Sequence, residues 1–247
     1  MNSTDSLVNF GNQKVPSSKK TELVDQVFET VNPRYDLMND IMSLGTHRIL
    51  KRIFIDSASI PQNGQVLDIA CGTGDITQLI ASRLSGSGRI TAVDLNSSML
   101  SHCRNRMLNA GFANVDYLLA DAQFLPLADE TFDCITMAFG IRNMSYIDLT
   151  LEECYRVLKR GGRLSLLDFS HAKSTRLSKL FQTYCCAWPI IGQIVVGDSK
   201  PYRYLVESIQ QHPQPEAIHL AMEACGLHEC QFENLLGGIV SIHTGIR

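Results

Sequence analysis

The sequence has no excess of positive charge and no long hydrophobic run. Its 247 residues carry 22 Lys and Arg against 25 Asp and Glu, a formal net charge of −3. A balance this close to neutral does not favour binding to the phosphate backbone of a nucleic acid. The most apolar stretch, residues 185–197, is shorter than the roughly 20 residues of a membrane-spanning helix and is interrupted by Pro189, Gly192 and Gln193. We therefore expect a globular chain with no nucleic-acid partner and no segment that crosses a bilayer.

The eight cysteines lack the paired spacing of a zinc or redox site. No two of them are separated by two residues, and most lie in apolar helix or strand patterns typical of buried, reduced thiols. Cys225, His228 and Cys230 stand close together, but the second half of a zinc motif is missing. Residues 1–18 also lack the apolar stretch of a secretory signal. These absences predict a cytoplasmic protein without a metal site.

Composition divides the chain into three parts. Residues 1–20 are polar and predict a flexible N-terminal arm. Residues 21–247 are predicted to form one domain, because a single α/β sheet of this length is common. Within it, residues 21–60 predict a helical cover, in which Thr21 is a candidate N-cap and Pro33 ends the first helix. Residues 61–247 predict an α/β core.

Buried strands alternate with helical patterns from Gln65 onward. This rhythm predicts a doubly wound, mostly parallel sheet with helices on both faces. The ligand of such a sheet binds beyond the carboxyl ends of its strands, so the residues that follow each strand form the candidate site. The predicted strands are 66–70, 90–94, 116–120, 134–138, 163–169 and a late one within 237–246.

The first strand leads into a glycine-rich turn, DIACGTGD, over residues 68–75. Gly72 and Gly74 allow a tight turn and a close approach of the backbone to a ligand. Alone, this pattern fits dinucleotides, S-adenosylmethionine and several other nucleoside ligands. The choice among them depends on charge.

Carboxylates near the strand ends distinguish between these ligands. Asp75 is predicted to lie in the first turn of the next helix, where it repels a diphosphate. Asp68, Asp94 and Asp121 are predicted to surround one crevice, and Asp94 stands where an acid commonly binds a ribose. S-adenosylmethionine has an ammonium, a sulfonium, a ribose diol and an adenine amine, which all match carboxylate acceptors. The residues therefore favour S-adenosylmethionine over NAD as the cofactor.

Four stretches of the core carry recognisable motifs: VLDIACGTGD, AVDLNSSML, ADAQFLPLADETFDCITMAFGIRN and ECYRVLKRGGRLSLLDFS. They resemble the successive motifs of class I S-adenosylmethionine-dependent methyltransferases. Two further stretches, YDLMN with Ser43 and His47, and RVLKRGG with Asp168 and Ser170, resemble the two signatures of the ubiquinone/menaquinone biosynthesis C-methyltransferases. The resemblance extends from about Phe10 to Gly245 and includes PYRYLVESI and GGIVSIHTG.

This resemblance implies a Rossmann-like sheet of seven strands and a set of cofactor residues. Carried over position by position, the cofactor residues fall on Thr73, Asp94, Asp121 and Ala122, beside the Asp68, Gly72 and Gly74 already named. The chain departs from the family at Leu50, Arg160 and Asp168, where Trp, Pro and Glu are usual. It also has Ala138 where many members have Ser, so a side-chain contact to the cofactor is lost there.

The implied reaction is methyl transfer to a ring carbon of a polyprenylated benzoquinol or naphthoquinol. Loss of a proton from a neighbouring hydroxyl makes that carbon nucleophilic. Arg142 and Asn143 follow the fourth strand and are expected beside the substrate, Arg142 to stabilise the developing phenolate and Asn143 to orient substrate or Arg142. Arg142 is a poor base, and a structural role opposite Asp148 stays open for it. His47 and Asp36 are better proton acceptors.

The implied prenyl tail raises the question of partners. A membrane-embedded substrate and a chain without an anchor predict peripheral contact with the membrane, through the entry helices around Met38, Ile41 and Met42 or the stretch around Trp188 and Ile190. The same residues could instead pack on the sheet or line the site. A quinone-biosynthesis complex and a homodimer are further predicted partners. A methyltransferase of another small molecule and a non-catalytic S-adenosylmethionine-binding scaffold remain the alternatives.

Overall fold

The computed structural model describes residues 6–31 and 35–247, apart from the side chains of Phe28, Thr30, Val31, Tyr35 and Asp36. The helices are α1 Ser17–Val31, α2 Tyr35–Ser43, α3 Thr46–Ser57, α4 Asp75–Ala81, α5 Ser97–Asn109, α6 Ile147–Val157, α7 Thr175–Cys185, α8 Trp188–Val195, α9 Lys200–Gln211 and α10 Pro215–Ala224. The strands are β1 Leu7–Phe10, β2 Gln13–Pro16, β3 Gln65–Ile69, β4 Arg89–Asp94, β5 Val115–Leu119, β6 Phe132–Ala138, β7 Leu158–Phe169, β8 His228–Leu235 and β9 Val240–Ile246.

The central sheet has seven strands in the order β5-β4-β3-β6-β7-β9-β8. Strands β3 to β7 run parallel, and β9 runs antiparallel to both β7 and β8. Strand β3 pairs with β4 on one side and with β6 on the other. The strand order therefore reverses between β3 and β6. The predicted doubly wound, mostly parallel, Rossmann-like sheet is confirmed, and its switch point lies where such sheets bind ligands.

Alternate residues of the inner strands support the helical layers on the two faces. Leu67 of β3 packs in the cluster that includes Leu151 of α6 and Ile218 of α10. The neighbouring residue Val66 points to the opposite face of the sheet and packs in a second cluster, which includes Phe54 of α3. These side chains are almost fully buried, and each contributes about 1.5–3 kcal/mol by leaving water. The burial of both faces explains why Val66, Leu67 and Ile69 of β3 are all apolar.

Regular secondary structure begins within the predicted N-terminal arm. Residues 7–16 form an antiparallel hairpin in which Leu7 pairs with Pro16 and Phe10 with Gln13. The two-residue loop Gly11-Asn12 closes it, with Gly11 at a φ of 53°. Helix α1 begins at Ser17 rather than at Thr21. The division of the chain into an arm, a helical cover and an α/β core stays a prediction.

Besides β1 and β2 of the hairpin, one strand of the central sheet was not predicted from the sequence pattern. Strand β8 lies at the edge of the sheet and its residues HECQFENL alternate between exposed and half-buried, so it lacks an apolar pattern. Within the described ranges, no helix combines the length and the apolar character that crossing a membrane requires.

Candidate functional site

A cavity of about 110 Å³ lies at the carboxyl ends of β3, β4, β5 and β6. Gly72, Asp94, Asp121 and Ala122 line it, as the sequence predicted, and Ala138 lies in its wall. Its described lining residues include three carboxylates, those of Asp25, Asp94 and Asp121, and no Lys, Arg or His. We call this the acidic cavity. Uncompensated negative charge in a half-enclosed space favours a ligand that carries positive charge.

The carboxylate of Asp94 is held by the backbone around it. Its Oδ2 accepts a hydrogen bond from the Gly72 amide at 2.7 Å, and its Oδ1 accepts one from the Asn96 amide at 2.9 Å. Burial raises the pKa of Asp94, although these backbone donors act in the opposite direction. Asp94 therefore ties the glycine-rich turn to the start of α5 and keeps acceptor capacity for a further donor.

Asp121 follows β5 and is oriented by Gln123. Its Oδ1 accepts hydrogen bonds from the Gln123 amide at 2.9 Å and from Gln123 Nε2 at 3.0 Å. Gln123 Oε1 in turn accepts a hydrogen bond from the Tyr146 amide at 2.9 Å. The carboxylate is thus fixed in the wall of the acidic cavity.

The glycines of the turn serve two different purposes. Gly72 lines the acidic cavity at a φ of 55°, and a Cβ added there would meet nothing within 4 Å. Gly74 precedes α4 at a φ of 89°, and a Cβ added there would lie 2.7 Å from Cys103 Sγ. Gly72 therefore leaves room for a ligand, whereas Gly74 lets α4 and α5 approach each other. Thr73 is buried between them and is not among the lining residues.

Two of the predicted acids do not reach the acidic cavity. Asp68 is buried within β3, where its Oδ2 accepts a hydrogen bond from Thr77 Oγ1 at 2.6 Å and its Oδ1 one from Thr136 Oγ1 at 2.9 Å. Asp75 forms ion pairs with Lys51 at 2.5 Å and with Arg106, so its charge is compensated and does not repel a diphosphate. The uncompensated charge comes instead from Asp25, Asp94 and Asp121.

A second, larger cavity of about 280 Å³ lies beside the first and is lined mainly by apolar and aromatic side chains. We call it the apolar cavity. Helices α2, α3, α7, α8 and α9 surround it, and Phe139 and Asn143 lie in the walls of both cavities. The other apolar and aromatic lining residues include Met38, Met42, Leu50, Phe169, Phe181, Trp188, Tyr202 and Leu205. A ligand in the acidic cavity and one in the apolar cavity would therefore share a wall.

Arg142 lies in the wall of the apolar cavity, paired with Asp168 rather than with Asp148. Its Nη1 contacts Asp168 Oδ1 at 2.8 Å and also donates to the Phe139 carbonyl. Its Nε is buried and has no hydrogen-bond partner among the described residues. Asn143 Oδ1 accepts a hydrogen bond from Tyr204 Oη at 3.0 Å. Both predicted substrate residues thus lie at the cavity, Arg142 held by Asp168 and the Phe139 carbonyl and Asn143 held by Tyr204.

The structure also places His47, which lines the apolar cavity with 12% of its side chain exposed. The side chain of Asp36 lies outside the described residues. Met38 and Met42 are buried and line the same cavity, and Trp188 is 2% exposed. Ile190, which was also predicted to contact the membrane, has 64% of its surface exposed.

Sequence reasoning missed Asp25, which α1 carries to the acidic cavity. Its Oδ1 accepts a hydrogen bond from Asn96 Nδ2 at 2.7 Å, and Thr21 and Val24 of the same helix also line the cavity. An acid in an N-terminal helix has no fixed spacing from a strand end, so motif spacing could not identify it. The sequence therefore carried no signal that would place Asp25 at this site.

Comparisons with known proteins agree with this geometry. Residues 14–247 match the model of the ubiE/COQ5 methyltransferase family. The ubiquinone/menaquinone biosynthesis C-methyltransferase UbiE of Hahella chejuensis is 43% identical over 240 residues, which cover 96% of each chain. The protein of the same name from Teredinibacter turnerae is 42% identical over 247 residues, or 99% of each chain.

Solved structures share the fold at low sequence identity. A Thermotoga maritima S-adenosylmethionine-dependent methyltransferase, described as a possible histamine N-methyltransferase, superposes with a TM-score of 0.63 at 20% identity over 90% of this chain and 98% of its own. An Aquifex aeolicus S-adenosylmethionine-dependent methyltransferase gives a TM-score of 0.58 at 19% identity over 80% of this chain and 89% of its own. Likeness at this level establishes the fold alone.

Proposed function

The chain belongs to the ubiE/COQ5 methyltransferase family, and on this premise we propose that it transfers the methyl group of S-adenosylmethionine to a ring carbon of a polyprenylated benzoquinol or naphthoquinol. The observation that carries the proposal is the apposition of the acidic and apolar cavities, which share Phe139 and Asn143. Methyl transfer from a charged nucleoside to an apolar aromatic ring requires one polar and one apolar site. The two sites must adjoin, so that the methyl group and the ring carbon can come into contact.

The acidic cavity fits S-adenosylmethionine, which when bound supplies an electrophilic methyl group. Asp94 would accept hydrogen bonds from the ribose diol, Asp121 with Ala122 would bind the adenine, and the open space at Gly72 would admit the ligand next to the backbone. Three carboxylates with no cation among the described lining residues suit the sulfonium and ammonium of this ligand and disfavour a diphosphate. Thr73, Gly74 and Asp68 support this site from behind.

The apolar cavity fits a quinol ring with the start of its tail. Phe169, Phe181 and Trp188 provide flat apolar contacts, and Met38 and Met42 adapt to an isoprenoid chain. Arg142 places a guanidinium at the ring oxygen, where it stabilises developing negative charge, and Asn143 orients the ring at the shared wall. Asp168 keeps Arg142 in place.

Transfer of labelled methyl from S-adenosylmethionine tests the function directly. The purified protein is incubated with demethylmenaquinol and, separately, with 2-polyprenyl-6-methoxy-1,4-benzoquinol, and we expect label in a C-methylated product of at least one. Label that appears only in a polar product of a cell extract would support a methyltransferase of another small molecule. Binding of S-adenosylhomocysteine without transfer to any acceptor would support a non-catalytic scaffold.

Variants at the two cavities separate cofactor binding from turnover. We expect Asp94→Ala to weaken S-adenosylmethionine binding by about tenfold or more, because charge-assisted hydrogen bonds to the diol are lost. Asp116→Ala, at an exposed carboxylate on β5, is the control with the same change in charge. Arg142→Lys keeps the charge opposite Asp168 and should lower kcat with unchanged cofactor affinity. Calorimetry and steady-state kinetics measure both, and equal affinity in Asp94→Ala and Asp116→Ala would contradict the assignment.

We also infer a lipid surface as a second partner, contacted by α7 and α8, which also carry Phe181 and Trp188 of the apolar cavity. Leu180, Ile190 and Ile194 are 68%, 64% and 79% exposed on these helices, and Leu44 and Leu236 are exposed where they line the cavity. The segment 171–197 carries Lys173, Arg176 and Lys179 and no acid. Apolar residues among basic ones suit an anionic bilayer, and vesicle binding tests the contact. A homodimer, a quinone-biosynthesis complex and a position on the inner face of the membrane stay predictions.

A further inference from the structure

The apolar cavity contains one described side chain whose ordinary pKa lies near neutrality, that of His47. Three other titratable groups in its wall, those of Arg142, Lys51 and Tyr204, are engaged elsewhere. Arg142 is paired with Asp168 at 2.8 Å, and Lys51 is paired with Asp75 at 2.5 Å. Burial raises the pKa of Tyr204 to about 12, and its hydroxyl donates to Asn143. A proton taken from a substrate in this cavity at neutral pH therefore has His47 as its best-matched acceptor.

Hydrogen bonds fix which ring nitrogen of His47 carries the proton. Ser43 Oγ donates its single hydrogen to the Asn39 carbonyl, at 2.6 Å. The same oxygen lies 2.7 Å from His47 Nδ1, so it must accept that bond and Nδ1 must carry the hydrogen. Neutral His47 is thereby held with an unprotonated Nε2, which is the nitrogen that can accept a proton.

Four charged groups surround the imidazole. Asp40 of α2 places Oδ1 at 3.7 Å from Nε2, and it is also held by Arg48, whose Nε and Nη2 donate to its two oxygens at 2.8 and 2.6 Å. Lys51 of α3 and Asp75 of α4 act on the ring from further away. Burial, followed by Lys51, lowers the pKa of His47 below its ordinary value of 6.5, so the ring is neutral at pH 7. Asp40 stabilises the imidazolium once it forms.

We propose that His47 is the general base of the reaction and that Ser43 and Asp40 are its positioning residues. This assignment rests on the proposed function. It gives the proton to a group built to receive it and leaves Arg142, which cannot act as a base, to stabilise the oxyanion.

The proton and electron balance is complete with these groups. The substrate hydroxyl gives its proton to His47 Nε2, and the oxygen lone pair moves into the ring. The ring carbon forms a bond to the methyl group while the S–CH3 bond breaks, and its electron pair remains on the sulfur. The carbon then loses its hydrogen as a proton to water, and His47 returns its proton to the oxygen. One proton is released for each methyl group transferred.

The test compares His47→Asn with His102→Asn, which makes the same change on an exposed face of α5. We expect His47→Asn to lower kcat by about 10²- to 10⁴-fold at pH 7 while calorimetric affinity for S-adenosylhomocysteine stays unchanged. In the wild type, kcat should rise with pH through an inflection below 6.5, and this limb should be absent from the variant. Ser43→Ala should lower kcat less than His47→Asn does, because it removes only the hydrogen bond that orients the imidazole and leaves the imidazole in place.

The outcomes are distinct. An active wild type with a His47→Asn variant that retains its rate and its acid limb overturns this inference alone. A wild type that binds S-adenosylhomocysteine but methylates neither quinol overturns the proposed function and this inference with it. Loss of the acid limb in His47→Asn, and its retention in His102→Asn, supports the assignment.

Discussion

At the scale of single residues, Asp68 shows how a motif acid can act on stability rather than on a ligand. Its carboxyl is 1% exposed, and both of its oxygens accept hydrogen bonds from threonine hydroxyls. Burial raises its pKa from 3.8 to about 7, with Asp94 adding to the rise. The folded state therefore prefers the protonated carboxyl and resists its ionisation.

This shift predicts a stability effect with a definite sign. Because the folded pKa lies above the unfolded one, the contribution of Asp68 is fully present below about pH 4 and is lost as the pH rises to about 7. Asp68→Asn, which is neutral at every pH, should therefore gain stability relative to the wild type between about pH 5 and pH 8. Urea unfolding across this range measures it, with Asp116→Asn as the exposed control. A constant difference between variant and wild type would contradict the prediction.

Residue positions after strands predict roles only as far as side-chain direction allows. Asp94 is the last residue of β4 and Asp121 follows β5, and both line the acidic cavity, as expected. Asp68 lies within its strand, where alternation turns its side chain into the helical layer. Asp75 and Lys51 are far apart in sequence, and their ion pair could not be predicted without the fold.

At the scale of elements, the approach of α4 to α5 depends on Gly74. Gly74 and Gly111 both have a positive φ, of 89° and 81°, so an alanine at either position is strained by about 1 kcal/mol. Only at Gly74 would the new Cβ also collide, lying 2.7 Å from Cys103 Sγ. The two positions therefore separate backbone strain from steric overlap.

We expect Gly74→Ala to cost about 1–3 kcal/mol more than Gly111→Ala in free energy of unfolding. Denaturant unfolding measures the difference. In the background of Cys103→Ala, the excess cost should shrink, because the sulfur that the Cβ meets is gone. Equal costs at the two glycines would show that α4 does not need this close contact.

Elements were predictable where one pattern dominated their sequence. The inner strands are long apolar runs, so their predicted and observed bounds agree to within a few residues, apart from the longer β7. The hairpin over residues 7–16 is short, and its stability comes in part from Phe10, whose ring stacks on that of Tyr204 with centroids 4.4 Å apart. That partner lies far along the chain and could not be read from local sequence.

At the scale of the whole molecule, exposed apolar residues lie on α7 and α8, the helices that also carry Phe181 and Trp188 of the apolar cavity. Leu180 and Ile194 lie on α7 and α8, whereas Leu108 on α5 and Leu220 on α10 are exposed elsewhere on the sheet's helical layers, at 57% and 61%. The two pairs have similar exposure but different surroundings. They therefore provide a matched test of the lipid contact.

We expect the wild type to co-sediment with phosphatidylglycerol-containing vesicles, and Leu180→Asp with Ile194→Asp to weaken this by about tenfold or more, because two apolar side chains no longer enter the interface. The double variant Leu108→Asp with Leu220→Asp should bind like the wild type. Equal binding of the two double variants, or no binding of the wild type, would contradict the proposed surface.

The three uncompensated carboxylates of the acidic cavity have a consequence for the catalytic cycle. The donor enters with a positive sulfur, and the sulfur left after transfer is neutral. The same walls that attract the incoming molecule therefore hold its spent form less strongly, in proportion to how near each acid lies to that atom. We expect methyl transfer itself to lower the affinity of the cavity for the by-product. Release of the by-product and binding of the next donor molecule are thereby favoured.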